Sequence, residues 1–438
     1  MIDKKLITPF QKFVKIESFS GILLFSATVI ALIWANSPLS NSYETFWQYE
    51  IGISLHNFEL SKPLILWIND GLMSVFFFLI GLEIKRELLI GELNSLRKAT
   101  FPIFAAIGGM LVPLTIFIIL NRNPDASHGW GIPMATDIAF SLAILKLLGN
   151  RVPLSLKVFL TAFAIVDDIG AVFVIAIFYS AGIKWLLLTI ALLLLMILYF
   201  LAYKKIHVKY LILIFGVIIW FLFLKSGIHP TVAGVLLAFA IPIRQKTDVR
   251  TYSNRLLGIA KDIKISSDNK NHVLSKEQIE KIDNLEDWTN WVQSPLQLLE
   301  HRLHNWVAYF IMPVFALSNA GVAFARNMNL DYSIVSTIAI SLIAGNLIGI
   351  TLMSFLGVKL RLTELPKGVN YKQIVGIALF GGVGFTMSIF ITNLAFVENA
   401  TLIDSAKMGI LVGSFISGLT GYAVLRLSNR KTISVTKK

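Results

Sequence analysis

Leu154-Ser-Leu-Lys-Val-Phe-Leu-Thr-Ala-Phe-Ala-Ile-Val-Asp-Asp-Ile-Gly-Ala-Val-Phe-Val-Ile-Ala-Ile-Phe178 is almost wholly apolar, yet it carries two adjacent carboxylates, Asp167 and Asp168, near its centre. Crossing a hydrocarbon core about 30 Å thick takes roughly 20 apolar residues of helix, and this run is long enough. More than a turn of apolar side chains flanks the pair on each side, so neither carboxylate can reach an interface. An aspartate at the centre of a spanning helix costs about 2.5–3.5 kcal/mol. Asp167, Asp168 and the similarly placed Asp137 therefore cost on the order of 8–10 kcal/mol together. Side chains that expensive point to ion or proton handling within the membrane.

The rest of the chain agrees with that setting. Its 438 residues are 55% hydrophobic and 15% charged, with a mean hydropathy of +0.72, which excludes a soluble globule of this size. Twelve apolar stretches are bounded by charge, Pro or Gly: 17–35, 64–84, 99–120, 130–148, 154–180, 183–203, 209–225, 228–243, 305–323, 333–357, 374–397 and 404–427. They predict an all-α, polytopic membrane protein in which residues 1–438 form a single transporter domain. The net charge of +13 and pI of about 9.7 come from Lys and Arg in short segments between the stretches, so they mark topology rather than nucleic-acid binding. Even-numbered loops hold Lys85, Arg86, Arg97, Lys98, Lys204, Lys205, Arg244 and Arg250, whereas odd-numbered ones offer Glu44, Glu50, Asp331 and Asp404. The positive-inside rule then puts both termini in the cytoplasm. Lys4, Lys5, Lys12 and Lys15 precede a first apolar run without a small-residue cleavage site, so that run is expected to stay as a span. The absence of cysteine excludes disulfides, thiolate zinc sites and cysteine-ligated clusters, and no cofactor is implied.

Two loops are long enough to carry structure. The external segment 36–63 alternates apolar and polar residues around Ile51-Gly52-Ile53, between Phe46 and Leu60, as a β-hairpin would, and such a hairpin suits pairing of two protomers. In the cytoplasmic segment 244–304, Ser275-Lys276-Glu277-Gln278 has the form of a capping box opening an amphipathic helix with Ile279, Ile282 and Leu285 on one face.

Two spans look interrupted. Gly129, Gly131 and Pro133 precede Met134-Ala-Thr-Asp137 in the fourth, and Gly381-Gly-Val-Gly384 precedes Phe385-Thr-Met-Ser388 in the eleventh, where Thr386 is suited to cap a half-helix. Paired broken helices are a known pointer to a transporter's binding site, and they suggest that spans three to five and ten to twelve are inverted copies of one three-helix unit. Half-helix N-termini that face each other inside a bilayer need a negative complement, which Asp137 supplies. Carboxylate oxygens suit a hard monovalent cation and also accept protons. If cation and proton compete for Asp167 and Asp168, and the site opens to one side at a time, exchange is obligatory. No Gly-x-x-x-x-Gly-Lys-Ser/Thr sequence is present to suggest an ATP-driven pump, and an enzyme is not expected.

Trp67-Ile-Asn-Asp-Gly-Leu-Met73, Gly81-Leu-Glu-Ile-Lys-Arg-Glu87, Gly129 to Phe140 and Ala164-Ile-Val-Asp-Asp-Ile-Gly-Ala171 together resemble the bacterial NhaA-type sodium/proton antiporters. The likeness continues through Leu224-Lys-Ser-Gly-Ile-His229, Leu317-Ser-Asn-Ala-Gly-Val322, Gly384-Phe-Thr-Met-Ser-Ile-Phe390 and Ala406-Lys-Met-Gly-Ile-Leu-Val-Gly413. The resemblance implies sodium or lithium held chiefly at Asp168 with help from Asp167, with Thr136 near the helix crossing. It also implies a pH-responsive funnel of Glu83, Arg86, Glu87, Glu300, His301 and His304, a homodimer in membrane lipid, and the bacterial inner membrane as location.

Three features depart from the family pattern. A lysine expected in span ten, after a Gly, reads as Ile350, and Asn346, one turn earlier on the same face, is a candidate donor to Asp167 in its place. Span nine opens on Asn305 rather than Pro, and the 244–304 loop is enlarged. Without the lysine, either two protons exchange for one sodium or one does, and the second case makes the exchange electroneutral. A sodium-coupled symporter of the same architecture is the other class to consider, although no intramembrane Arg or Lys was found to serve an organic anion.

Overall fold

The computed structural model describes residues 9–55, 58–180, 182–204, 209–245, 247–265, 276–323, 330–397 and 399–428. Within them the chain is almost entirely helical. In hydrocarbon every backbone N–H and C=O must find its partner inside the protein, and a helix meets that demand locally.

In chain order the helices are α1 (Pro9–Ala35), α2 (Ser40–Trp47), α3 (Leu64–Ile90), α4 (Leu96–Leu120), α5 (Ile138–Leu147), α6 (Leu154–Phe178), α7 (Trp185–Tyr203), α8 (Lys209–Ser226) and α9 (Pro230–Ala240). They continue with α10 (Val249–Ile265), α11 (Lys276–Val292), α12 (295–319), α13 (Tyr332–Lys359), α14 (Tyr371–Gly381), α15 (Phe385–Ala395) and α16 (Ala400–Ser428). Among the described residues six helices, α3, α4, α6, α7, α13 and α16, are each long and apolar enough to cross a membrane; the number rises to nine if three bent pairs are single spans. The protein is thus a polytopic membrane protein.

Its side chains are sorted accordingly. Leu186, Phe415 and Ile177 face outward at 74%, 67% and 66% exposure, while Asn319, Asn346, Ser388 and Thr392 are completely buried. Polar groups inside and bare apolar groups outside suit a lipid solvent.

The interior is tight because small residues let helices meet. Gly108 of α4 faces Gly349 of α13, and a Cβ on either would run into the other's carbonyl; Gly345 packs in the same way on Pro113. Single π-helical turns interrupt three helices, at Trp67–Leu72 in α3, Val307–Ile311 in α12 and Ser341–Gly345 in α13. Such turns recur at functional positions; Asn69 lies in the first of them and Asn346 directly follows the third.

Several expectations change in detail. The first half of the fourth apolar stretch is a 3-10 helix, Pro124–Met134, not an α-helix. Pro124 and Pro133 each lack an N–H, and Gly129 and Gly131 weaken helix propensity, so the tighter coil wins. Strand β1 (Glu50–Leu55) pairs antiparallel with β2 (Phe58–Pro63), with Ile51 opposite Lys62. The pairing therefore runs three residues beyond Leu60, and Phe46 belongs to α2. Residues 56 and 57, which join the strands, lie outside the described residues. Within 244–304, α11 follows an additional helix, α10, and the two are joined by Tyr252 Oη to Thr289 Oγ1 at 3.0 Å and by Arg255 over the Trp288 ring at 5.3 Å. Ser275, the expected capping residue, lies outside the described residues.

Candidate ion-binding site

Two chain breaks meet in the middle of the molecule. The 3-10 helix ends at Met134 and α5 starts at Ile138, with a 49° bend; α14 ends at Gly381 and α15 starts at Phe385, with a 41° bend. Asp137 N donates to Val383 O at 2.6 Å, so the non-helical residues of one break satisfy those of the other.

Asp137 is the N-cap of α5, where its Oδ1 accepts from Phe140 N at 3.1 Å. Its Oδ2 accepts from Thr386 N at 3.1 Å and from Thr386 Oγ1 at 2.7 Å. The carboxylate thus closes its own helix and the first turn of α15. Both N-termini present partial positive charge, and one buried carboxylate, 2% exposed, answers both. Thr386 does not cap its own helix: the N-cap of α15 is Gly384, which makes no side-chain cap, and the threonine hydroxyl is turned to Asp137 instead.

Asp167, 1% exposed on α6, is held by Thr136, whose N–H and hydroxyl both donate to Oδ2 at 2.9 Å. Its Oδ1 has no hydrogen-bond partner among the described residues. Asp168, about 100° further round the same helix, makes no hydrogen bond among the described residues and instead lines a cavity. Glu83, Thr136, Asp137, His304 and Thr386 line it as well, and its free space of about 50 Å³ is sized for a small ion with little water.

The cavity's rim continues into the charged groups flagged by the sequence. Glu83 Oε1 lies 3.7 Å from His304 Nδ1, Arg86 Nε binds Glu300 Oε1 at 2.9 Å, and Arg86 Nη1 binds Glu87 Oε1 at 2.8 Å. The first part of α12 brings Glu300 and His304 back to α3 despite the enlarged loop. His301 is exposed and does not line the cavity. Glu300 precedes the apolar stretch 305–323; burial pushes its carboxyl up to about 7, and Glu83 adds to this, while the Arg86 guanidinium works in the opposite direction.

The expected bond from Asn346 to Asp167 is not formed. Asn346 Nδ2 donates to Leu342 O at 3.1 Å and, at a long 3.5 Å, to Pro133 O; its Oδ1 has no partner among the described residues. The carbonyl freed by the π turn that ends at Gly345 claims the amide first. Even so, Asn346 reaches the segment three residues before Thr136, whereas Ile350 is completely buried beside Gly109, Gly381 and the apolar wall. The polar position of α13 nearest this layer is therefore Asn346. Sequence reasoning reads Thr386 only as a helix cap and not as a site residue, although its place two residues after Gly384 mirrors Thr136 before its own half-helix.

Membrane-embedded helices that bury three carboxylates where two interrupted helices meet define a transport protein of the membrane rather than an enzyme. The sequence pattern of the family described as Na+/H+ antiporter 1 matches residues 11–425, and the chain belongs to that family of sodium/proton antiporters. It is 48% identical over 439 residues to the Na(+)/H(+) antiporter NhaA of Oleidesulfovibrio alaskensis, covering 97% of this chain and 94% of that protein. The NhaA of Bacteroides thetaiotaomicron is 46% identical over 430 residues, with 96% and 98% covered, and that of Helicobacter pylori 44% over 425, with 96% and 95%. These relatives are bacterial, which places the chain in the plasma membrane.

Proposed function

We propose that the chain exchanges sodium, or lithium, for protons by alternating access at Asp168 and Asp167, with Asp137 as a fixed electrostatic complement and Thr136 as Asp167's orienting partner. Twelve spans with cytoplasmic termini, inverted three-helix repeats and crossed broken helices in spans four and eleven form the scaffold, and a homodimer held by the β-hairpin is the assembled state. Sodium is cargo here, bound and released in each cycle.

One observation carries this proposal: Asp168 faces the cavity with no donor among the described residues, while the inner oxygens of Asp137 and Asp167 are already taken by Thr386 and Thr136. A carboxylate so placed binds a proton or a desolvated cation but not both, and that competition couples the two flows without further energy input. The rim from Glu83 to Glu300 sits at the entrance and tunes access with pH. A sodium-coupled symporter would need a second polar cavity for its organic partner.

Replacement of Asp168 by Asn in reconstituted vesicles tests the site directly. Sodium-dependent proton flux is expected to vanish while the protein remains folded, and persistence of that flux rules the site out.

A further inference from the structure

Helix α15 presents Thr386, Phe390 and Asn393 at four- and three-residue steps, which puts them along one face. Thr386 lines the ion cavity. Phe390, completely buried, comes next and is enclosed by Phe77 at 5.5 Å, His229 at 5.3 Å and Phe315 at 6.3 Å between ring centres. Beyond the ring, Asn393 Nδ2 donates to Asn319 Oδ1 at 2.7 Å, and Asn319 exchanges reciprocal hydrogen bonds with Asn69 at 2.9 and 3.2 Å. Three asparagines from three separate helices are thus tied together within the apolar body of the protein.

The cluster lies at the opposite end from the cavity's charged rim. Asn69 and Glu83 sit on the same helix, α3, 14 positions apart, a rise of about 21 Å. A cation leaving the aspartates away from Glu83 must pass the α15 face, where an aromatic ring and then a closed amide network stand in its way. We infer that Phe390 and the Asn69–Asn319–Asn393 network form the outer gate of the exchange pathway: the Phe390 ring bars the cavity, and the amides latch α15 to α3 and α12.

This rests on the antiporter function proposed above. The latch is suited to reversible opening because its bonds are neutral amide pairs, which contribute far less than charged ones. When they part, the amide oxygens are hard ligands that suit a passing sodium ion.

The chain has no cysteine, so one introduced thiol reports alone. In cells, Met387→Cys in the cavity wall is exposed to a membrane-impermeant thiol reagent from outside, alone and combined with Phe390→Ala or with Asn393→Leu. The external labelling rate is expected to rise about tenfold or more with either second substitution, as the closed state loses population. Labelling from the inner face of inverted vesicles is expected to stay the same. External rates that remain unchanged in both double variants, with the proteins shown folded by thermal unfolding, overturn the gate. Sodium-dependent proton flux of the unaltered protein, measured in parallel, tests the antiporter function separately, since its failure leaves the labelling result interpretable on its own.

Discussion

Asp137 and Thr386 lie 249 positions apart in the chain, yet the carboxylate of one accepts both the N–H and the hydroxyl of the other, while its second oxygen caps α5 at Phe140. One buried side chain therefore holds two helix starts together. Asp137→Asn keeps an oxygen acceptor for one cap and removes the charge. The expected loss is about 1–2 kcal/mol, the scale of a carboxylate at a helix N-terminus in a partly buried site. Asp137→Ala removes the caps as well and is expected to cost about 0.5–2 kcal/mol more. Thermal unfolding in detergent measures both, and an Asp137→Asn midpoint equal to that of the unaltered protein would falsify the dipole account.

Thr136 gives Asp167 two hydrogen bonds, and only the hydroxyl bond can be removed by substitution. Thr136→Val leaves the N–H in place, whereas Thr136→Ser keeps both donors. A hydrogen bond to a charged group contributes about 1.5–3 kcal/mol. Apparent sodium affinity is expected to fall at least about tenfold in the valine variant and to stay near that of the unaltered protein in the serine variant. Matching affinities for valine and serine would show that the hydroxyl does not orient Asp167.

No lysine or arginine makes an ion pair with Asp167 among the described residues, so in the site proposed above Asp167 and Asp168 are the expected proton carriers. Two carboxylates and one monovalent cation give two protons for one sodium, and the rate is expected to depend on membrane potential. Flux in proteoliposomes with the potential clamped decides this, since a rate insensitive to potential means that only one carboxylate exchanges. Asn346→Lys places an ammonium within reach of the Leu342 and Pro133 carbonyls and is expected to fold, whereas Ile350→Lys buries one in place of a completely buried apolar side chain and is expected to lower the yield of folded protein sharply.

Glu300 holds its proton up to about pH 7, above the ordinary 4.5. Between those values the folded protein binds a proton that the unfolded chain has lost, so stability falls as pH rises through the window. Below pH 4.5 both states are protonated and the slope disappears. Glu300→Gln removes this titration and is expected to flatten the decline in melting temperature between about pH 4.5 and 7. An unchanged slope in the glutamine variant would assign the titration to another group.

By itself the sequence determined the all-helical membrane class, the aspartates and the two interruptions. Apolar length, buried charge and Gly-Pro breaks are local signals that hold whatever the helices pack against. The π turns, the 3-10 half of the fourth stretch and α10 were not legible, because each depends on which backbone groups find partners elsewhere. Tertiary structure alone decided the partnerships: Thr136 with Asp167, Thr386 with Asp137, and Asn346 turned to Leu342 rather than to Asp167. A hydrogen bond is fixed by distances of tenths of an ångström between helices far apart in the chain, and no periodicity within one helix encodes them. Asp167 and Asp168 show the difference most plainly, since adjacent positions read alike in sequence while the fold gives one a threonine and the other a cavity.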